Sequence, residues 1–215
     1  MSAIKLNFSK SNNDLFGQSK WWGAPDLPED WEYPEMVNEE GNPLPLLFLC
    51  QIRCSDLATF DTKNLLPHKG MLYFFAAIQD FLEDFDFGNS IPLYHGYGEL
   101  SKEYFKVLYS PTTDNLSTYE ILWEDDTPAY MTEEEAITFS AENPDDDYGE
   151  FYLLGSPTYT EIEENYPDFI NLLQIDEEDR WSLRFIDLGQ LNFLIKPEDL
   201  AKRNFDNVLL HLAYS

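Results

Sequence analysis

The side chains that could do acid–base or metal chemistry are few in this chain, and their spacing does not suit them to it. Three histidines occur, His68, His95 and His211. None lies at zinc-ligand spacing from another or from a cysteine, so a metal centre built on nitrogen or sulfur is not expected. Cys50 and Cys54 sit four residues apart. On an extended segment that is roughly 13 Å at ~3.3 Å per residue, too far to bridge and not a Cys-x-x-Cys motif. No nucleophile elbow, phosphate loop or dinucleotide fingerprint is present. Carboxylates are plentiful. Asp84-Phe-Asp86-Phe-Gly88 and Asp145–Asp147 with Gly149 and Glu150 come nearest to a calcium loop, but neither completes an EF-hand. A glycosidase needs two acids about 5–9.5 Å apart, and with 41 acids such pairs arise by chance. The expectation is a protein with no metal or cofactor that binds rather than catalyses.

Two amides stand out instead. Gln51 and Gln174 each end an apolar run and precede Ile. A buried amide without partners costs about 1–3 kcal/mol. Each therefore either ties its strand end to a neighbouring backbone, or the two face one groove and hold a ligand. On the second reading the candidate ligand-binding set is Trp22, Gln51, Gln174 and Asp187.

The elements that must position these residues come in two similar series. The first reads Gly23-Ala-Pro25, Tyr33-Pro34, Leu46–Ile52 and Gly70-Met-Leu-Tyr-Phe-Phe75. The second reads Gly155-Ser-Pro157, Tyr166-Pro167, Ile170–Ile175 and Gly189-Gln-Leu-Asn-Phe-Leu194. The order is the same, which suggests a duplicated half-domain with repeats at about 21–80 and 153–200, an acidic insertion at about 107–152, and one domain over 1–215. Buried strands are expected at 46–52 and 71–78, strands with one wet face at 105–109 and 119–123, and further strands at 170–175, 181–186, 191–195 and 208–214. Short helices are expected over 55–60 and 197–205, the second with a first-turn proline that costs nothing, and a short helix or turn over 160–165. Thr132-Glu-Glu-Glu135 reads as a capping box opening another. Without strict strand–helix alternation the fold class is α+β, with a mixed, largely antiparallel sheet and few short helices.

The charge balance is extreme, −28 from 41 acidic and 13 basic residues. From Val107 to Asp179, 73 residues hold 21 carboxylates and no Lys, Arg or His. Such a field repels nucleic acid and anionic membranes and attracts a basic protein. Asp145, Asp146, Asp147 and Tyr148 are the candidate partner-binding residues. Aromatics make up 16% of the chain, too many for a disordered acidic protein. No secretory h-region or membrane-spanning run occurs, so a cytoplasmic protein is expected.

Trp22-Gly-Ala-Pro-Asp-Leu-Pro28, Leu47-Phe-Leu-Cys-Gln-Ile52, Leu66-Pro-x-x-Gly70 and Leu172-Leu-Gln-Ile-Asp176 resemble the YwqG-like family of bacteria. Asp187-x-Gly189, Phe193-x-Ile195 and Glu198-Asp-Leu200 extend the resemblance to nearly the whole chain. It implies a duplicated domain and no established activity. Where the family tends to carry Trp-Gly-Asp, this chain has Phe185-Ile-Asp187, and Leu212-Ala-Tyr214 replaces the family's Trp-Asp-Cys. Three functions follow in order: a non-enzymatic binding protein for a basic partner, of which an immunity-type inhibitor is the concrete case; a small-ligand-binding domain with its pocket between the repeats; and a carboxylate-based hydrolase.

Overall fold

The computed structural model describes residues 3–38, 41–82, 98–123, 125–128, 131–142, 150–185 and 188–214. The chain divides into two compact units, each assembled from non-contiguous segments and each holding one repeat. The first-repeat unit is Phe8–Ala77 with Glu103–Thr138, and the second-repeat unit is Met1–Asn7, Ile78–Lys102 and Phe139–Ser215.

In the first-repeat unit the strands Lys20–Trp21, Leu47–Arg53, Met71–Ala76 and Phe105–Ser110 pair antiparallel in that spatial order. Leu47–Ile52 and all of Met71–Ala76 are buried, which is why these runs lack polar alternation. Trp21, Phe48, Phe74 and Phe75 fill the core without exposure, each worth about 1.5–3 kcal/mol or more in apolar burial. The segment from Trp21 to Pro45, held out of a helix by its prolines, forms two short ladders. Asp26–Pro28 pairs with Leu116–Thr118, and Glu35–Val37 pairs with Pro43–Pro45.

In the second-repeat unit Tyr152–Leu153, Ile170–Asp176, Gln190–Ile195, Leu209–Ala213 and Gly98–Leu100 pair antiparallel in that order. The correspondence with the first unit extends to the register. Lys20 faces Gln51 and Trp21 faces Cys50; Tyr152 faces Gln174 and Leu153 faces Leu173. The ladder slips at the same place in both, between Phe48 and Cys50 and between Asn171 and Leu173. Even the lead-in backbone repeats. Trp22 and Leu154 are left-handed (φ 56 and 58), followed by Gly23 and Gly155 at φ 73 and 97. Glycine is needed there for space as well as for φ. A Cβ at Gly23 would meet Glu134 Cβ at 2.8 Å, and one at Gly155 would meet Ala3 Cβ at 2.9 Å.

Those two neighbours mark an exchange of strands. Ile4, which precedes the first repeat, pairs with Leu153 in the second-repeat unit. Glu135, which precedes the second repeat, pairs with Trp21 in the first-repeat unit.

The α+β expectation is wrong. The described residues are mainly antiparallel strand, and their only α-helices are Thr160–Asn165 and Pro197–Ala201. The largest single error is the helix expected from Thr132. Glu135–Glu142 is a strand, because the Ala-Ile-Thr-Phe run within it favours a pleated ladder and pairing overrides a local cap signal. Trp181 closes a 3-10 turn rather than opening a strand. The expected 119–123 strand is replaced by Leu116–Thr118 and a Leu122–Pro128 bridge, and the first residues form the strand Ala3–Ser9.

Candidate functional site

Directly opposed residues on neighbouring strands share a sheet face, so the registers identify the side chains on each face. In the first-repeat unit one row reads Ala136, Lys20, Gln51, Tyr73, Leu108. The matching row in the second-repeat unit reads Lys5, Tyr152, Gln174, Asn192, His211, Glu99. By register, Asn192 stands where the first unit has Tyr73, and His211 where it has Leu108.

The first-unit row is closed by its own chemistry. Gln51 is fully buried. Its Oε1 accepts from the Asp26 backbone N–H at 2.9 Å, and its Nε2 donates to Asp26 Oδ2 at 2.7 Å and to the Gln18 carbonyl at 2.9 Å. The equally buried Asp26 carboxylate also accepts from Gly17 N (3.0 Å) and Thr118 Oγ1 (2.8 Å), and lies 3.2 Å from Lys20 Nζ. Both polar atoms of Gln51 and both oxygens of Asp26 are thus engaged. Tyr73 reaches past the amide to donate to the Asp26 carbonyl at 2.7 Å. Burial, with the Asp26 charge second, pushes its phenol well above the usual range.

The second-unit row starts the same way and then stays open. Gln174 Oε1 accepts from Thr158 N at 3.3 Å, while its Nε2 donates to Thr158 Oγ1 at 3.1 Å and to the Glu150 carbonyl at 3.3 Å. The residues beyond it are a cluster of buried amides. Asn171 Nδ2 donates to Gln174 Oε1 at 3.5 Å, Asn192 Nδ2 to the Gln190 carbonyl at 3.4 Å, and Gln190 Nε2 to the Asp176 carboxylate. Asn171, Gln190, Asn192 and His211 are 2%, 1%, 0% and 4% exposed. Even so, Asn171 Oδ1, Gln190 Oε1, Asn192 Oδ1 and His211 Nδ1 have no hydrogen-bond partner among the described residues. Orphans of this kind are rare in native interiors, and four occur on one sheet face.

The Thr160–Asn165 helix and its flanks cover this face. Ile162 packs on Leu194 and Ala213, with Tyr159, Tyr166, Phe169 and Leu209 around them. The Tyr166 ring meets His211 edge-on at 5.4 Å between centroids, and its hydroxyl donates to Glu99 at 3.3 Å. Burial holds the His211 imidazole below its ordinary pKa of 6.5, opposed by the nearby Glu161 and Glu99. Burial followed by Glu99 raises the Tyr166 phenol.

Of the residues chosen from sequence, Gln51 and Gln174 occupy equivalent positions in different units, each bonded to its own lead-in segment. Trp22 is a core residue of the first-repeat unit, 1% exposed, with its backbone N–H on the Leu49 carbonyl. Asp187, Asp145, Asp146, Asp147 and Tyr148 lie outside the described residues. Among the described residues no group of three or more His, Cys, Asp or Glu side chains is placed to hold a metal ion, and no helix is long and apolar enough to cross a membrane. Asn171, Gln190 and Asn192 were missed. The signal was there: Gln190 and Asn192 alternate within an otherwise apolar strand, so both had to face the same side.

A family model described as a domain of unknown function, DUF1963, matches residues 19–213. No curated protein matches the chain.

Proposed function

Because the chain belongs to DUF1963, a family of unknown function with which its YwqG-like blocks are consistent, we propose a function from the site alone: a non-enzymatic domain that binds a small polar molecule. The binding site is the covered face of the second-repeat unit. The observation that carries this is the contrast between two equivalent rows, one satisfied internally and one presenting four buried unpartnered polar atoms. Each orphan costs roughly 1–3 kcal/mol if left unmet. A fold that repeats a satisfied solution in one unit and departs from it in the other is keeping those atoms for something else. Two buried cysteines, Cys50 and Cys54, neither in a disulfide, suit a reducing cytoplasm.

A thermal-shift panel of amines, amino acids, polyols, sugars and carboxylates tests this reading. A ligand at a hundred times its Kd adds about 2.7 kcal/mol. At least one class should raise the melting temperature of the native protein but not of Asn192→Leu. A panel in which nothing stabilises the protein contradicts the reading.

A second reading is a basic protein partner, favoured by the 73-residue stretch with 21 carboxylates and no cation. Its mark would be an association rate that falls steeply with salt.

A further inference from the structure

Resting on that reading, we propose that the ligand is a small organic cation, a primary ammonium or guanidinium compound, whose N–H groups are taken by the amide oxygens of Asn171, Gln190 and Asn192. An amide can in principle present either end, so the argument turns on which end is free. The network fixes this. The Thr158 N–H can only donate, so Gln174 must turn its Oε1 towards it. Asn171 reaches that same oxygen and must therefore offer its Nδ2. Gln190 faces the Asp176 carboxylate, which takes only a donor, and Asn192 faces the Gln190 carbonyl, which does likewise. Reversing any of these three amides sets oxygen against oxygen. The open ends are therefore all acceptors, and a ligand that meets them must donate.

The surroundings select a charged donor over a neutral one. Asp176 lies beside Gln190, while Glu99 and Glu161 bear on His211. Lys5, at the far end of the row, is already paired with Glu150. The imidazole, with its pKa held down, adds no competing positive charge at neutral pH, and in the tautomer protonated on Nε2 its Nδ1 is a further acceptor. The chain's charge of −28 concentrates cations and repels anions. Same-face neighbours on one strand, Gln190 and Asn192, lie roughly 6.6 Å apart at ~3.3 Å per residue, a span that suits two donor groups on a short alkyl chain.

Calorimetric titration of the full-length protein with butane-1,4-diamine, agmatine, butane-1,4-diol and butanedioate tests the inference. The expected result is one-site binding of the diamine or agmatine and none of the diol or the dicarboxylate. Affinity should fall at least about tenfold in Asn192→Leu and in Asn171→Leu. An unchanged or raised melting temperature in either variant shows that its fold is intact. Diol or butanedioate binding that Asn192→Leu abolishes overturns the cationic class while leaving a binding site in place. Cation binding that both variants retain places the cation on surface carboxylates and overturns the inference. No binding of any of the four overturns it as well.

Discussion

Gln51 and Gln174 perform the same act with different partners, and the difference sets the cost of losing each. Removing Gln51, itself fully buried, leaves a backbone N–H and a carbonyl without their partner, and takes one donor from an Asp26 oxygen that keeps Gly17 N and Lys20. Removing Gln174 strands a hydroxyl, an N–H and a carbonyl in a partly exposed setting. Gln51→Leu should therefore cost about 3–5 kcal/mol, from two backbone groups around a fully buried side chain left unmet at roughly 1–3 kcal/mol each. Gln174→Leu should cost about 1–3 kcal/mol. Urea denaturation of the two variants checks the ranking. His211 makes a pH prediction. Its folded pKa is depressed by burial, so below about 6.5 the unfolded chain takes up a proton that the folded chain refuses. Stability attributable to this residue is complete above pH 6.5 and falls as pH drops towards the folded value. His211→Leu should remove that part of the acid loss, seen as a smaller stability difference between pH 7 and pH 5. At this scale the sequence displayed the two glutamines plainly. The amide cluster was legible only in part: Gln190 and Asn192 alternate within one apolar strand, but only the register brings Asn171 to the same face.

At the scale of elements, the repeat was legible because its markers are local: a glycine at positive φ, a proline, and an apolar run with a glutamine near its end. Gly70 shows how strict one marker is. It has φ 80, and a Cβ there would fall on the Ser110 carbonyl oxygen of the neighbouring strand. Gly70→Ala should cost about 4 kcal/mol or more, at the extreme of single substitutions, measured as a lowered denaturant midpoint. The strand Glu135–Glu142 was not legible. Its capping-box sequence and its β-rich continuation point opposite ways, and what decides between them is pairing with Trp21 and Lys20, more than a hundred residues away. Only tertiary context supplies that information. The two α-helices among the described residues announced themselves by polar, acidic sequence and by Pro197 at a helix start, and both are short beside the strands that make up most of the described structure.

At the scale of the molecule, neither compact unit is contiguous in sequence. Ala3–Asn7 serves the unit of the second repeat and Glu135–Thr138 that of the first. We propose that the units therefore fold as one, since a cut between the repeats cannot release two complete halves. Calorimetry should show a single transition with matching calorimetric and van't Hoff enthalpies. Two separable transitions, or two stable fragments after limited proteolysis, would count against it. The charge of −28 bears on the site as well as on solubility, because it favours cationic ligands over anionic ones before any contact forms.

The most direct test of the central claim reads the orphan amides themselves. In 1H–15N spectra of the uniformly labelled protein, butane-1,4-diamine should move the side-chain amide signals of Asn171, Gln190 and Asn192 together, saturating at one equivalent. The satisfied amide of Gln51 should stay still. Shifts absent from those three amides, or confined to exposed carboxylate-rich segments, would contradict a binding site on this face.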